Sequence, residues 1–244
     1  MAFRDTLKSA AYTYGLALEP KQLEQFTRYY ELLIAWNAKM NLTAITDEEG
    51  VAVKHMVDSL TAYTPALFSG STRVIDVGTG AGFPGIPLKI FAPHIELTLL
   101  DSLKKRIGFL ETVVRELALS GVTCVHARAE DAAQDKKYRE QYDVACARAV
   151  ARLAVLSEYT MPFVKCGGVF LAMKGRSFAE EAEEAKKAIK VMGGSETNVR
   201  EVKLPGLDDV RAVIEVRKTM PTPPPPSGRR SQGIRSTASS YRPR

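Results

Sequence analysis

Between Val74 and Leu88 the chain reads VIDVGTGAGFPGIPL: an acid embedded in an apolar run, then closely spaced glycines and two prolines. Gly80 to Gly85 match G-x-G-x-x-G, a pattern that turns a strand into a helix and bares the backbone to a ligand. Such a turn can hold nothing, a dinucleotide, or S-adenosyl-L-methionine. Asp76 weighs on the choice. A pyrophosphate wants free N–H groups and a helix N-terminus, which a carboxylate two residues before Gly78 opposes. A sulfonium and an ammonium gain from the same acid. The order Asp76, Gly78, Gly80 therefore points to S-adenosyl-L-methionine. Pro84 and Pro87 lack N–H donors, which is harmless in a first helical turn and makes that turn a poorer anion trap.

Other residues could complete a nucleoside site. Asp101 ends the next apolar run, where an acid can accept from both ribose hydroxyls of either cofactor; its plainer role is a helix cap ahead of Leu103. Glu130, in ARAED, could accept from an adenine amino group. Cys124, Cys146 and Cys166 show no Cys-x-x-Cys pairing, and His55, His94 and His126 no ligand spacing, so buried free thiols and no metal are expected.

These residues need elements to hold them. The first 62 residues read helical: Pro20 punctuates a start, and Leu23, Phe26, Tyr30, Leu33, Trp36 and Met40 form one apolar stripe ending near Asn41. Thr46 and Glu49 fit a capping box for a further helix. From Arg73 the pattern changes to five short apolar runs, RVIDV, ELTLLD, VTCVHA, YDVACA and GGVFLAMKG, which do not alternate and so read as strands buried on both faces. Helices are expected at 84–91, 103–119, 152–162 and 178–191, the last opened by Ser177 and Glu180. Strands alternating with helices predict an α/β, doubly wound, mostly parallel sheet. Two last strands, near 196–203 and 210–217, are joined only by LPGLDD, so they must form an antiparallel hairpin at the sheet's end. The division expected is a helical extension over 1–62, a main domain over 63–218 and a disordered Pro-, Ser- and Arg-rich tail over 219–244.

Charge is less informative than it looks. Of the net charge of +6, five arginines fall within 219–244, and without them the chain has 29 basic against 28 acidic side chains. Whole-chain basicity therefore says little about nucleic acid. No run reaches the ~18 apolar residues of a membrane helix, and the N-terminus lacks the apolar stretch of a signal peptide, so a cytoplasmic protein without membrane attachment is expected.

The segments WNAKMNLTAIT, KHMVDSL, VIDVGTGAGFPGIPL, DSLKKRIGFL, ARAE, ARAVARLAVLSEY and AMKG together resemble the RsmG (glucose-inhibited division protein B) family of bacterial small-subunit rRNA methyltransferases, over about residues 10–217. The resemblance implies a Rossmann-like class I methyltransferase fold, with S-adenosyl-L-methionine as donor. It implies 16S rRNA as partner, naked or within a 30S particle, and methylation of guanine N7 at position 527 of the 530 loop. It further implies cofactor contacts at Gly78, Phe83, Ala129, Glu130 and Arg148, the last facing either a cofactor carboxylate or an RNA phosphate. Beyond about Pro223 the chain departs from the basic segment built around Tyr-Pro-Arg that many relatives carry, as a shifted reading frame would.

Guanine N7 has a free lone pair at neutral pH, so no general base and no catalytic side chain are expected, only alignment and exclusion of water. The chain lacks the Asp- or Asn-Pro-Pro-aromatic signature of amine methylation, and Cys146 lacks the setting of a nucleophile. An inactive RNA-binding module on the same fold, or a methyltransferase acting on another base, are the alternatives. Arg152, Lys165, Lys174 and Arg176 are read as a basic rim at the sheet's carboxyl edge for RNA phosphates, and a monomer is expected. Asn41, His55 and Asp58 are read as helix caps that fasten the N-terminal helices to the sheet.

Overall fold

β1 (Arg73–Val77) is buried at every position after the first, which only the middle of a doubly covered sheet allows. In the structure, a computed structural model that describes residues 2–224, β1 pairs in parallel with β2 (Glu96–Asp101) and β4 (Tyr142–Arg148). β3 (Val122–His126) lies outside β2, and β5 (Val164–Lys174) lies outside β4. β7 (Val210–Lys218) joins β5 antiparallel, and β6 (Gly194–Lys203) closes the order β3-β2-β1-β4-β5-β7-β6. All seven expected strands form, with the short link producing the antiparallel hairpin. β3 is the exception to double burial: as an edge strand it is only half covered.

Strand order reverses between β1 and β4, so their carboxyl ends diverge and open the crevice where doubly wound folds hold ligands. Alternate side chains feed two cores. Val74, Leu97, Leu99, Val144 and Cys146 face α5 (Gly85–Phe91), α6 (Lys104–Glu116) and the N-terminal helices. Ile75, Val77, Leu100, Ala145 and Ala147 face α8 (Leu153–Thr160) and α9 (Phe178–Val191). A short helix, α7 (Ala129–Ala132), not anticipated from the sequence, follows β3. Among the described residues no helix is long and apolar enough to cross a membrane.

The N-terminal helices share the first core rather than forming one of their own. α1 (Phe3–Thr13) precedes α2 (Pro20–Met40), which starts with a Glu19–Gln22 capping box and ends at Asn41 in the left-handed region, φ 49°, as the cap reading of Asn41 requires. The stripe turns slightly from the expected one: Tyr29 is fully buried, and Tyr30 instead stacks on Phe3. The next helix starts one residue later than expected. Asp47, not Thr46, caps it by accepting from Gly50 N at 2.7 Å, opening α3 (Glu48–Gly50), a π-helical stretch Val51–Val57 and α4 (Asp58–Leu60). Ser177 sits at the N-cap of α9 without a capping hydrogen bond, because Glu180 turns toward Arg152 instead. Cys146 is buried but Cys166 is exposed, so the expectation of uniformly buried thiols fails at the amino end of β5. The expected disordered tail starts too early at residue 219: Thr219 N donates to Gly193 O at 2.9 Å, and Thr222 is buried, donating from N to Glu140 Oε1 at 2.8 Å and from Oγ1 to Met192 O at 2.9 Å; the tail after Pro224 lies outside the described residues.

One bond ties the N-terminal helices to the ligand end of the sheet. The Tyr29 hydroxyl donates to the carbonyl of Ala81, inside the glycine turn, and both are buried. Tyr29→Phe leaves that carbonyl unpaired and is expected to lower stability by about 1–3 kcal/mol in urea unfolding, with the m-value unchanged.

Candidate functional site

β1 delivers the chain into the turn 78–85, and the turn's own N–H groups are almost all satisfied internally. Gly78 and Thr79 donate to Leu100 O at 2.9 and 3.1 Å, Gly82 and Phe83 to Thr79 O at 2.9 and 3.0 Å. Gly80 N donates to Asp101 Oδ2 at 3.0 Å and Gly85 N to Asp76 Oδ2 at 2.8 Å. A pyrophosphate cradle needs such donors free, so this bend is not one. Gly78 adopts φ 70°, and a Cβ there would stand 2.8 Å from Val150 Cγ2, so both its conformation and its packing demand glycine.

Asp76 does not face a ligand as expected. It is fully buried beneath the bend, where its Oδ2 also accepts from Thr79 Oγ1 at 2.6 Å, while Oδ1 has no protein partner. Burial pushes its pKa up to about 6 against the pull of those two hydrogen bonds. Asp101, only 2% exposed, is likewise occupied: Oδ1 accepts from Leu103 N at 2.8 Å, although Leu103 itself and not Asp101 is the N-cap of α6, and Oδ2 also meets Arg106 at 3.3 Å. Unlike Asp76, it lines the cavity.

That cavity, about 270 Å³, opens beyond the carboxyl ends of β1, β2 and β3. Gly78, Asp101, Ala129 and Glu130 line it as expected, together with Ser102, Val150 and Tyr159, which sequence reasoning missed. Tyr159 stands four residues after Val155 on α8, and Val155 is 41% exposed, so that face is not core; the sequence holds no signal for this, since both residues read as apolar. Gly80, Phe83 and Arg148 do not line the cavity.

Phe83 and Arg148 meet each other instead. The Arg148 guanidinium lies 4.8 Å from the Phe83 ring centroid, and His55 stacks on the same ring at 4.8 Å. Arg148 donates through Nη1 to Asp58 Oδ2 at 2.7 Å and to the carbonyl of Lys54 at 3.3 Å, so one edge of its guanidinium is held against the N-terminal helices. Asp58, 3% exposed, also pairs with Arg211 at 3.2 Å. His55 and Asp58 are thus not caps: they lie within the helical stretch and face the sheet. Thr43 Oγ1 bonds His55 Nε2 at 2.7 Å, and burial together with the Arg148 charge pushes that imidazole down to about 4, keeping it neutral.

The expected basic rim is mostly corrected. Lys165 lies at the amino end of β5, opposite the cavity, paired with Asp143. Lys174 is at the carboxyl end but buried, held by Glu181 at 2.8 Å and donating to Ala151 O. Arg152 and Arg176 are exposed at that edge and paired with Glu184 and Asp209. Burial, and next the Asp76 charge, push the Cys146 thiol well up, consistent with a core role. Among the described residues no three His, Cys, Asp or Glu side chains gather to hold a metal.

The strand order with its terminal antiparallel hairpin, and a nucleoside-sized cavity beyond the carboxyl ends of β1 to β3, define a Rossmann-like class I methyltransferase. Solved structures of that fold match the chain: TYW2 of M. jannaschii in complex with AdoMet, at TM-score 0.51 and 16% identity, over 66% of this chain and 74% of that one, and TYW2 of P. horikoshii in complex with MeSAdo, at 0.52 and 14%, over 68% and 63%. The rRNA small subunit methyltransferase G family matches residues 22–209, and the chain belongs to that family. Proteins named ribosomal RNA small subunit methyltransferase G are 50% identical over 86% of the chain and 88% of their own length in Exiguobacterium sibiricum, and 52% identical over the same shares in Halalkalibacterium halodurans.

Two outcomes follow from this geometry. Because the folded pKa of Asp76 lies above its unfolded value of 3.8, its contribution is fully present below pH 4 and is lost as pH rises to about 6. The stability of the native protein relative to Asp76→Asn should therefore fall by about 3 kcal/mol between those limits, read from paired unfolding curves. Asp58→Ala leaves two half-buried guanidinium groups without their acid, and should cost about 3 kcal/mol in the same measurement.

Proposed function

We propose that the protein transfers a methyl group from S-adenosyl-L-methionine to N7 of guanine 527 in the 530 loop of bacterial 16S rRNA. Its relatives are named for the rRNA small subunit, and their names support the substrate class. The observation that carries the cofactor reading is the division of labour at the crevice: backbone donors are bonded internally, while the carboxylates of Asp101 and Glu130 line the cavity. Acceptors suit ribose hydroxyls and an exocyclic amine; they repel a pyrophosphate.

In this reading Asp101 accepts from the ribose, Glu130 from the adenine amine, and Gly78 and Ala129 offer bare or small surface against the nucleoside. Asp76 acts through its field from beneath the bend, favouring positive charge above it. Bound S-adenosyl-L-methionine supplies the electrophilic methyl. Guanine N7 needs no deprotonation, so the chain's own task is to orient the two partners and keep water out. Val150, seated on Gly78, is placed to exclude water at that end of the cavity. Arg148 positions Phe83 and the N-terminal helices in the state described here. Arg152 and Arg176 are the members of the expected rim best suited to RNA, since exposed ion pairs contribute only about 0–1 kcal/mol and yield readily to phosphate.

The test is incubation with methyl-labelled donor and 30S subunits that lack the modification, followed by mapping of the label. Label at N7 of one guanine in the 530 loop is expected. Transfer to an exocyclic amine or to another base would sink the N7 reading, and binding of RNA without any transfer would favour an inactive module.

A further inference from the structure

Tyr159 is half-buried yet has no place in the interior. Its neighbours on α8, Leu156, Ser157 and Thr160, are fully buried, but Tyr159 does not belong to the apolar cluster they pack into, and its ring meets no other aromatic among the described residues. Its hydroxyl also has no hydrogen-bond partner among the described residues. Tyr29 donates to Ala81 O and Tyr142 to Thr98 Oγ1 at 3.2 Å, and the half-buried Tyr63 and Tyr138, whose hydroxyls likewise bond nothing among the described residues, pack their rings on a core cluster; Tyr159 does neither. An aromatic residue drawn partly out of water without an interior partner is one whose partner comes from outside.

What it faces is the cavity, on whose lining it joins Ala127, Ala129 and Glu130. Glu130 acts on it electrostatically: burial first, and that carboxylate next, raise the phenol above its ordinary pKa, so the ring stays neutral. The two small residues, the Glu130 carboxylate and the tyrosine thus line one space at the start of α7, with Arg128 beside them. A planar base bearing an exocyclic amine suits that lining.

We infer that Tyr159 is a specificity-determining residue whose ring forms one wall of the nucleobase site, with Glu130 at the base's amine edge. This rests on the reading of the cavity as the methyl-donor site and adds to it a contact on α8, the helix entered from the loop that carries Val150. The cavity is then lined by both this loop, through Val150, and the helix that follows it, through Tyr159.

Calorimetric titration of the full chain with S-adenosylhomocysteine, and separately with 5′-methylthioadenosine, tests it. Tyr159→Ala should weaken both ligands by a similar factor, about 5- to 100-fold, since a base–aromatic contact is worth about 1–3 kcal/mol. Tyr159→Phe should bind both within about threefold of the native protein. Tyr159→Leu, which keeps bulk without a ring face, should fall between them, and the ligand-free thermal midpoints should all agree because the side chain packs on no core. Native-like binding by Tyr159→Ala overturns the inference, as does a loss confined to S-adenosylhomocysteine, which would put the effect away from the base. If the native protein itself binds neither ligand, the cavity reading falls too; that result is distinct from the first two.

Discussion

Two buried carboxylates hold the bend on which the site depends. Asp76 beneath the turn takes Thr79 and Gly85; Asp101 beside it takes Gly80, Leu103 and Arg106. A charge removed from water is tolerated only when hydrogen bonds replace its hydration, and the stripped backbone of a glycine turn offers donors at close range. The turn is thereby made rigid without help from a ligand, and its donors are withdrawn from any anion. The same arrangement that stabilises the bend therefore sets the sign of what can bind over it.

The N-terminal helices hold this bend from the other side. Tyr29 reaches the Ala81 carbonyl, and the π-helical stretch presents His55 and Asp58 to Phe83 and Arg148. Asp58 stands between Arg148 and Arg211, so one acid from the N-terminal helices binds β4 and β7 together across the sheet. Such a cluster is costly to desolvate and gains stability only through good geometry. What it fixes is orientation, because each partner comes from a different element.

On the far face, β5 and α9 serve the loop after β4 in a similar way. Lys174 joins Glu181 and the carbonyl of Ala151, and Glu181 accepts from Leu153 N at 2.8 Å. Lys174, which looks like part of a basic rim in one dimension, is here a strut of the loop that carries Val150. Charge counting along a sequence does not separate a strut from a free cation; the deciding quantity is the acid brought up from another element.

Fold class, the seven strands, the terminal hairpin and the α2 boundaries were legible in the sequence, because each follows from periodicity, turn chemistry or link length within a few residues. The glycine turn and Asp101 were legible for the same reason: each stands at the end of a strand, and strand ends converge in this topology; Glu130, beyond β3 in α7, owed its reading to the family resemblance. What the sequence could not reveal was which side chains face the ligand and which face one another. Asp76 and Thr79 are close in the chain, but Arg148 and Asp58 are 90 residues apart, and Tyr159 acquires its role only when α8 comes to rest beside α7. Local propensity fixes elements one at a time; the partners of a buried charge, and the outlook of a half-buried ring, are decided only when those elements pack, because desolvation is a property of the assembled neighbourhood and not of any segment within it.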